Sequence, residues 1–406
     1  GCAQCHDHKY DPISTIDFYR MRAFFEPAVE PVKNRSVTML ASIGKPVAPS
    51  RVMIRGDWRQ PGPRVQPAFL RVANLQEQAV DADDSRQQRR EFAFWLTQHN
   101  PPLTSRVIVN RIWQHHFGRG LSATPSDFGL MGDLPTHPEL LDWLAAELMS
   151  SGWKMKSLHR LILTSSVYRQ AGQFNDSQAS ESAWKRSLKD DPDVSLLSRF
   201  PRQRLDAEVI RDAMLAVSGK LSENSGGRGV MPPLPRELRA TLLKDQWKTS
   251  ANVEDHYRRR IYVFARRNLR YPLFDVFDRP DANTSCSRRG NSTTAPQSLL
   301  MMNSESSLKC AQELAGLIWD QAGENEVQQV KLLFRRALGR MPTDNELDEM
   351  PRFLSTQRKI LAQEQRSAGE LLLPLSETPI KNTYAGAALT DLCLAIFNTS
   401  EFLYVD

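Results

Sequence analysis

The chain has 406 residues, with 53 Lys and Arg against 47 Asp and Glu for a formal net charge of +6; 40% of residues are apolar and 25% charged, as in an ordinary globular protein. Twenty Gly, 25 Pro and 5 Cys exclude a collagen, a low-complexity chain and a disulfide scaffold, and no apolar run approaches the roughly 18 residues a membrane span needs. The positive excess is too small and too dispersed to predict a nucleic-acid partner, and the length allows two or three domains with a sizeable core.

Gly1 is not a methionine and no charged-then-apolar leader follows it. The sequence therefore reads as a fragment or processed chain that opens inside a motif, and the missing leader carries no information about compartment. The motif is Cys2-Ala3-Gln4-Cys5-His6, and C-x-x-C-H is the attachment pattern of a c-type haem. Two thiols three positions apart reach the two vinyl groups on one porphyrin edge, and the following His lies beneath the iron as an axial ligand. Three other readings stay open. A zinc ribbon asks for a second C-x-x-C, whereas Cys286, Cys310 and Cys393 stand alone. A thioredoxin-type pair asks for a preceding strand. A purely structural pair is the third. Met21, Met39, Met53 and His8 are candidates for the sixth iron ligand, with His8 too close to His6 to reach the opposite face.

Ser14-Thr15-Ile16-Asp17 has the form of a capping box opening a short helix that Pro27 ends. Its Phe18, Tyr19, Met21, Phe24 and Phe25 suit either a haem wall or an ordinary core. Residues 26–80 are punctuated by Pro and Gly and predict an irregular linker with short strands such as Arg51-Val-Met-Ile-Arg. A helix is predicted over 86–98, and a second carries Val109, Trp113 and Phe117 on one face and stops at Gly118. Thr136-His-Pro-Glu139 forms a capping box for a third, and 158–169 predicts a fourth. Residues 173–193 read as loop and the stretch around Leu205–Ala216 as helix. Residues 222–256, with Gly226-Gly-Arg-Gly229 and Pro232-Pro-Leu-Pro235, read as a long loop able to act as a lid. A strand over 261–265 and helices over 296–320, 327–338, 345–363 and 385–398 complete the chain.

The predicted fold is therefore mainly α. A multi-helix C-terminal domain over 86–406 has a few short strands. It is preceded by a short haem-motif segment, 1–27, and an irregular β-containing linker, 28–85.

Polar residues suggest a second site. Asn110, Arg111, His115, His116 and His137 lie near Asp142 in sequence, and Arg204, Glu208, Arg211 and Asp212 form a charged helical face, with Arg260, Arg267, Asp278, Arg288 and Arg289 further on. Such a set could bind an anionic or carbohydrate ligand through guanidinium forks. The competing reading is a set of structural ion pairs in which every group pairs internally. In the ligand reading the pocket is expected where the Asn110-Arg111 helix meets the Arg204–Asp212 helix, with Glu208 reaching Arg204 or Arg211 along its own helix and Asp212 pointing away from Arg211.

Cys2-Ala-Gln-Cys-His-Asp-His-Lys-Tyr-Asp-Pro-Ile13, followed by Asp17-Phe-Tyr-Arg20, resembles the end of the first conserved domain of the planctomycete-type cytochrome-c-containing proteins (domain of unknown function 1549). Arg106-Val-Ile-Val-Asn-Arg-Ile-Trp-Gln-His-His-Phe-Gly-Arg-Gly120 resembles the opening of their second (domain of unknown function 1553). Pro135-Thr-His-Pro-Glu-Leu-Leu-Asp-Trp, Arg204-Leu-Asp-Ala-Glu-Val-Ile-Arg-Asp, Phe277-Asp-Arg-Pro-Asp, Ser292-Thr-Thr-Ala-Pro-Gln-Ser-Leu and the closing Asn398-Thr-Ser-Glu-Phe-Leu-Tyr-Val-Asp406 continue it. The resemblance covers about residues 1–25 and 50–406. It implies secretion, upstream cytochrome modules and a covalent haem c, but assigns no catalytic residue.

The expectation is an extracytoplasmic, periplasmic or exported haem protein. It transfers electrons to or from a redox partner or upstream cytochrome module, and the helical domain binds a substrate or partner. The alternative is a non-redox ligand-binding or hydrolytic module with a vestigial or structural haem motif. Whether the chain is an enzyme is not decided by the sequence.

Overall fold

A computed structural model of the chain describes residues 1–25, 30–34, 37–41, 49–73, 80, 85–98, 102–174, 178–243 and 246–405. It is mainly α-helical, with fifteen α-helices and three two-stranded antiparallel sheets among the described residues. The chain divides into two compact units, Gly1–Pro201 and Arg202–Asp406. A boundary thus falls inside the 86–406 span that reads as one domain in sequence.

The first unit opens with a 3-10 turn, Cys2–Gln4, and α1, Thr15–Ala23. The Ser14/Asp17 capping box forms as the sequence predicts. Strands β1, Glu30–Asn34, and β2, Val37–Ala41, pair in register Val32 with Met39; β3, Arg51–Met53, pairs with β4, Pro61–Arg64. The expected Arg51–Arg55 strand is cut at Met53 because Arg55 turns into the left-handed region, φ 55°. Pro27, expected to end α1, lies outside the described residues, and the helix already closes at Ala23. Helix α2 is Ser85–Gln98 and α3 is Pro102–Phe117. Val109, Trp113 and Phe117 are buried as a stripe, with α4, Pro138–Ser150, laid against it through Leu141, Leu144 and Leu148. An Arg106–Asp142 pair, 2.6 Å, joins the two helices at their exposed side.

Three expectations in this unit change. The Thr136 capping box does not form: His137 is the N-cap without a side-chain bond, and Thr136 instead donates its hydroxyl to Leu121 O, 3.3 Å. Helix α5 is Met155–Leu163 rather than 158–169. Thr164 and Ser165 end it by turning their hydroxyls back onto the carbonyls of Arg160 and Ile162. Residues 173–193, expected as loop, contain α6, Gln178–Asp190. None of its residues over 181–190 is buried; Arg199 caps its end by donating to Ser187 O and Asp191 O, placing a cation on the last carbonyls.

The second unit starts with β5, Gln203–Arg204, and α7, Ala207–Val217. Next come α8, Arg236–Thr241; α9, Pro272–Val276; α10, Ala295–Asn303; and α11, Glu305–Ala322. Helices α12, Glu326–Ala337, α13, Asp344–Gln363, α14, Thr383–Phe397, and α15, Ser400–Leu403, follow, and β6, Tyr404–Val405, returns to pair with β5. The core is built around α11 and α14, with Leu314, Ala315, Leu389 and Phe397 fully buried. The single helix expected over 296–320 is two, because Ser304 takes an extended conformation and its hydroxyl caps α11 at Ser307 N.

The 222–256 stretch is not a free lid. Val230 N donates to Tyr262 O and Phe264 N to Val230 O, Trp247 Nε1 donates to Pro232 O, and Val230, Leu234 and Trp247 are buried. The expected 261–265 strand is a 3-10 turn, Arg260–Tyr262, followed by that one bridge at Val263. No helix among the described residues is long and apolar enough to cross a membrane.

Candidate functional site

The C-x-x-C-H residues share one turn. Cys2 O accepts both Cys5 N, 3.1 Å, and His6 N, 3.3 Å, and Cys2, Cys5 and His6 are all exposed while Ala3 between them is buried. Tyr19, fully buried on α1, fixes this turn: its hydroxyl lies 3.0 Å from Gln4 O and 3.3 Å from Met53 O, and a carbonyl can only accept. The backbone at Gly56, φ 75°, runs past Cys5; a Cβ there would sit 2.7 Å from Cys5 Sγ, so only glycine leaves the sulfur its room.

His6 Nδ1 lies 2.7 Å from Asp7 O and therefore donates to it. In a neutral imidazole this leaves the lone pair on Nε2. Asp7 Oδ1 in turn accepts Thr15 N at the start of α1, 2.8 Å. His8 Nδ1 is engaged by the amide of Asp11, 3.0 Å, and Asp11 Oδ1 also accepts Leu130 N, 2.9 Å. Met21 and Met53 are half-buried on α1 and β3; the side chain of Met39 lies outside the described ones. Tyr19 and Phe24 are core rather than an open wall, since Phe24 stacks on Phe69 and packs on Phe92, whereas Phe25 is half exposed.

Asp17 anchors the segment. It is buried, accepts Ser14 N and the Ser14 hydroxyl, and takes a two-pronged contact from Arg71, Nε at 2.9 Å and Nη2 at 3.0 Å. Burial raises its pKa, but the hydrogen bonds from Arg71 and Ser14 outweigh that and hold it below the usual carboxylate value.

The second set of sequence candidates splits between the units. In the first unit Asn110 is fully buried and clips the loop after its own helix: Nδ2 donates to Ser122 O, 3.0 Å, and Oδ1 accepts Ser122 N, 2.9 Å. Arg111 is exposed, and His137 Nδ1 contacts the Thr136 hydroxyl, 3.0 Å. His116, which shares the helix with exposed His115, meets His159 of α5 at 2.8 Å; burial and these two imidazoles lower its pKa.

In the second unit the charged face is paired internally. Arg204 donates to Asp278 Oδ2, 2.8 Å, and to the carbonyls of Phe277 and Ser292. Glu208 reaches neither Arg204 nor Arg211 along its helix; it accepts from Arg289, 2.7 and 3.2 Å, with Arg279 at 3.9 Å. Burial raises the pKa of Glu208, but Arg289 pulls it below the usual range. Arg211 donates to His256 O and Arg258 O. Asp212, expected to point away, lies 3.5 Å from Arg211 and accepts Arg260 N, yet burial still raises its pKa.

A feature that sequence reasoning missed lies beside α7. A cavity of about 290 Å³ is lined by Met214, Leu215, Leu234, Leu273, Lys309 and Cys310, among others, and Arg211 is the one sequence candidate in its wall. These residues are up to about a hundred positions apart, and no local pattern joins them.

The geometry can be set beside known families. The model of the PSD1 family, described as "Protein of unknown function (DUF1553)", matches residues 88–354. The chain belongs to that family. At the N-terminus, residues 1–30 match PSCyt2, "Protein of unknown function (DUF1549)", which completes the planctomycete-type pairing. No curated protein and no solved structure matches the chain. The PSD1 match spans parts of both units, and the C-x-x-C-H turn falls within the PSCyt2 match. Among the described residues no cluster of three or more His, Cys, Asp and Glu side chains could hold a metal ion.

Proposed function

We propose that the N-terminal segment carries a c-type haem, bound through Cys2 and Cys5 with His6 as an axial iron ligand, in an extracytoplasmic redox protein. The observation that supports this best is the 2.7 Å contact of His6 Nδ1 with Asp7 O. The carbonyl fixes the proton on Nδ1, so Nε2 is the basic nitrogen, the arrangement a metal-bound imidazole needs. Both thiols and the ring are exposed on a single turn, and the tetrapyrrole would itself supply four nitrogen donors, so no larger cluster of protein donors is required.

Within this reading, Cys2 and Cys5 would hold the group covalently through their thiol sulfurs. Tyr19 holds the turn that presents them. Asp7 orients His6 and, through Thr15, ties the ligand to α1. When bound, the haem supplies one-electron chemistry whose potential follows from the axial ligand and burial. The partner class is a redox protein or cytochrome module. Attachment to C-x-x-C-H follows export, so the proposal includes a periplasmic or other extracytoplasmic location.

The test is expression of the chain behind an export leader in a host with c-type haem assembly. The expected result is a Soret band and a haem stain that survives denaturation. Cys2→Ser or Cys5→Ser should shift the pyridine haemochrome band by loss of one thioether, and His6→Ala should change the spin state. A colourless, folded, exported protein would overturn the reading and leave the chain a non-redox module.

A further inference from the structure

We propose that the cavity beside α7 is a binding site for a small aromatic monocarboxylate. It is independent of the haem reading, because every residue involved lies in the second unit. The cavity's floor is the core face of α7 and α11, where Met214, Leu215 and Cys310 are buried. Pro232, Pro233 and Pro235 form one wall and Tyr271 and Leu273 another. These are flat or ring-shaped surfaces with few polar atoms, suited to a planar apolar body. At about 290 Å³ the space takes a molecule of one or two rings; a 150 Å³ cavity of similar walls accepts benzene.

The walls are braced from behind, so the pocket is pre-formed. Trp247 Nε1 donates to Pro232 O, 2.8 Å, and Met231 N to the Ser250 hydroxyl, 3.0 Å. Arg211 holds the two carbonyls that flank Tyr257, those of His256, 2.7 Å, and Arg258, 2.9 Å. Arg211 is thus a positioning residue for Tyr257. Tyr257 in turn accepts the ammonium of Lys309, 2.9 Å.

Lys309 is the group that would recognise charge. Its hydrogen-bond partner is a neutral hydroxyl, and among the described residues no carboxylate lies within ion-pair distance of it; Glu313, one turn on, is paired with Lys220, 3.0 Å. Two of the three donors of the ammonium therefore remain for a ligand at the mouth. The lining carries three cations, Arg211, Lys220 and Lys309, against the carboxylates of Glu305 and Glu313. That balance favours one negative charge over the two of a phosphate. Cys310 contributes shape rather than nucleophilicity, since burial raises its thiol to about 11.

The probes are benzoate, its uncharged counterpart benzamide, and inorganic phosphate, titrated calorimetrically into the full chain. Benzoate should bind with a Kd on the order of 0.1–1 mM, as expected for nine heavy atoms. Benzamide should bind about fivefold more weakly or worse, and phosphate should not compete. Lys309→Met should weaken benzoate about fivefold or more while leaving benzamide unchanged, as loss of a charge-assisted bond predicts. Leu300 of α10 also lines the cavity, and Leu300→Trp should fill it and abolish both; if its helical circular dichroism is lost, Leu300→Phe replaces it. Absence of benzoate binding, binding that survives the filled cavity, or a Lys309→Met protein with unaltered preference would overturn the proposal.

Discussion

Replacing Asp17 by Asn tests whether the haem-motif segment is held by one buried carboxylate. Asp17 is 2% exposed and accepts four hydrogen bonds, two from Ser14 and two from Arg71. The amide oxygen of Asn can keep the Ser14 amide, so most of the cap, about 1 kcal/mol, survives. What goes is the charge-assisted contact with Arg71, whose side chain is 49% exposed. A hydrogen bond to a charged group contributes about 1.5–3 kcal/mol, and solvent at the guanidinium argues for the lower half, so about 2 kcal/mol is expected. That corresponds to roughly thirtyfold more frequent opening of α1. Because the chain has two units, a single melting midpoint would mix them. The assay is hydrogen exchange on peptides from α1, with α14 as the internal reference. Exchange in α1 accelerated by less than about threefold, or accelerated equally in α14, would refute the reasoning. The pH dependence carries the same sign: the folded pKa lies below 3.8, so the contribution is present above that value and is lost as acid protonates the carboxylate.

Asn110→Ala should cost about 2–4 kcal/mol in chemical denaturation of the first unit, because it strands the buried N–H and C=O of Ser122. Gly120→Ala should destabilise the same loop, since its Cβ would lie 2.6 Å from Asn110 Nδ2 and Ser122 O, and a stable variant of either kind would count against the clip. Glu346, bonded to both terminal nitrogens of Arg340 and capping α13, is held at about 2. Its stabilisation is fully present above 4.5 and lost as pH falls toward 2. Discounted for partly exposed partners it is about 1–2 kcal/mol, so Glu346→Gln should flatten the acid limb of a stability–pH curve, and an unchanged limb would contradict the assignment.

Periodic elements were legible in sequence because a stripe of apolar residues has one economical solution. Val109, Trp113 and Phe117 repeat every four positions and are buried together. The Ser14 box forms as predicted, its hydroxyl free to accept Asp17 N while the Asp17 carboxylate takes Ser14 N, and a second box, Thr343 with Glu346, caps α13 in the same way. The Thr136 box did not form, although its letters are right, because Leu121 O competes for the hydroxyl. Helix α6 was illegible for the opposite reason: its Glu181–Lys185 pair, 2.6 Å, is a weak signal in a polar stretch, and the cap on its end comes from Arg199, beyond it. Of the site, the C-x-x-C-H turn was legible since its chemistry is local. The proton position on His6 was not, because it depends on where the Asp7 carbonyl points.

The charged face of α7 shows why residue type alone misleads about ligands. Arg204, Arg211 and Arg258 are each buried, and each directs its donors largely at main-chain carbonyls distant in sequence. Arg204 takes Phe277 and Ser292, Arg211 takes His256 and Arg258, and Arg258 takes Asn224, Gly226 and Arg228 while stacking on Tyr262. A guanidinium presents several donors in a rigid plane. One such side chain can therefore satisfy irregular loops whose carbonyls have no ladder to join, and no lysine could replace it. This is how the glycine-rich part of a stretch with the composition of a mobile lid is fixed, Arg258 holding the carbonyls of Asn224, Gly226 and Arg228. The same device decides where a ligand can bind. Arg211, with its donors on the carbonyls of His256 and Arg258, holds the loop at Tyr257, and Lys309, whose hydrogen-bond partner among the described residues is the neutral Tyr257 hydroxyl, lines the cavity beside it.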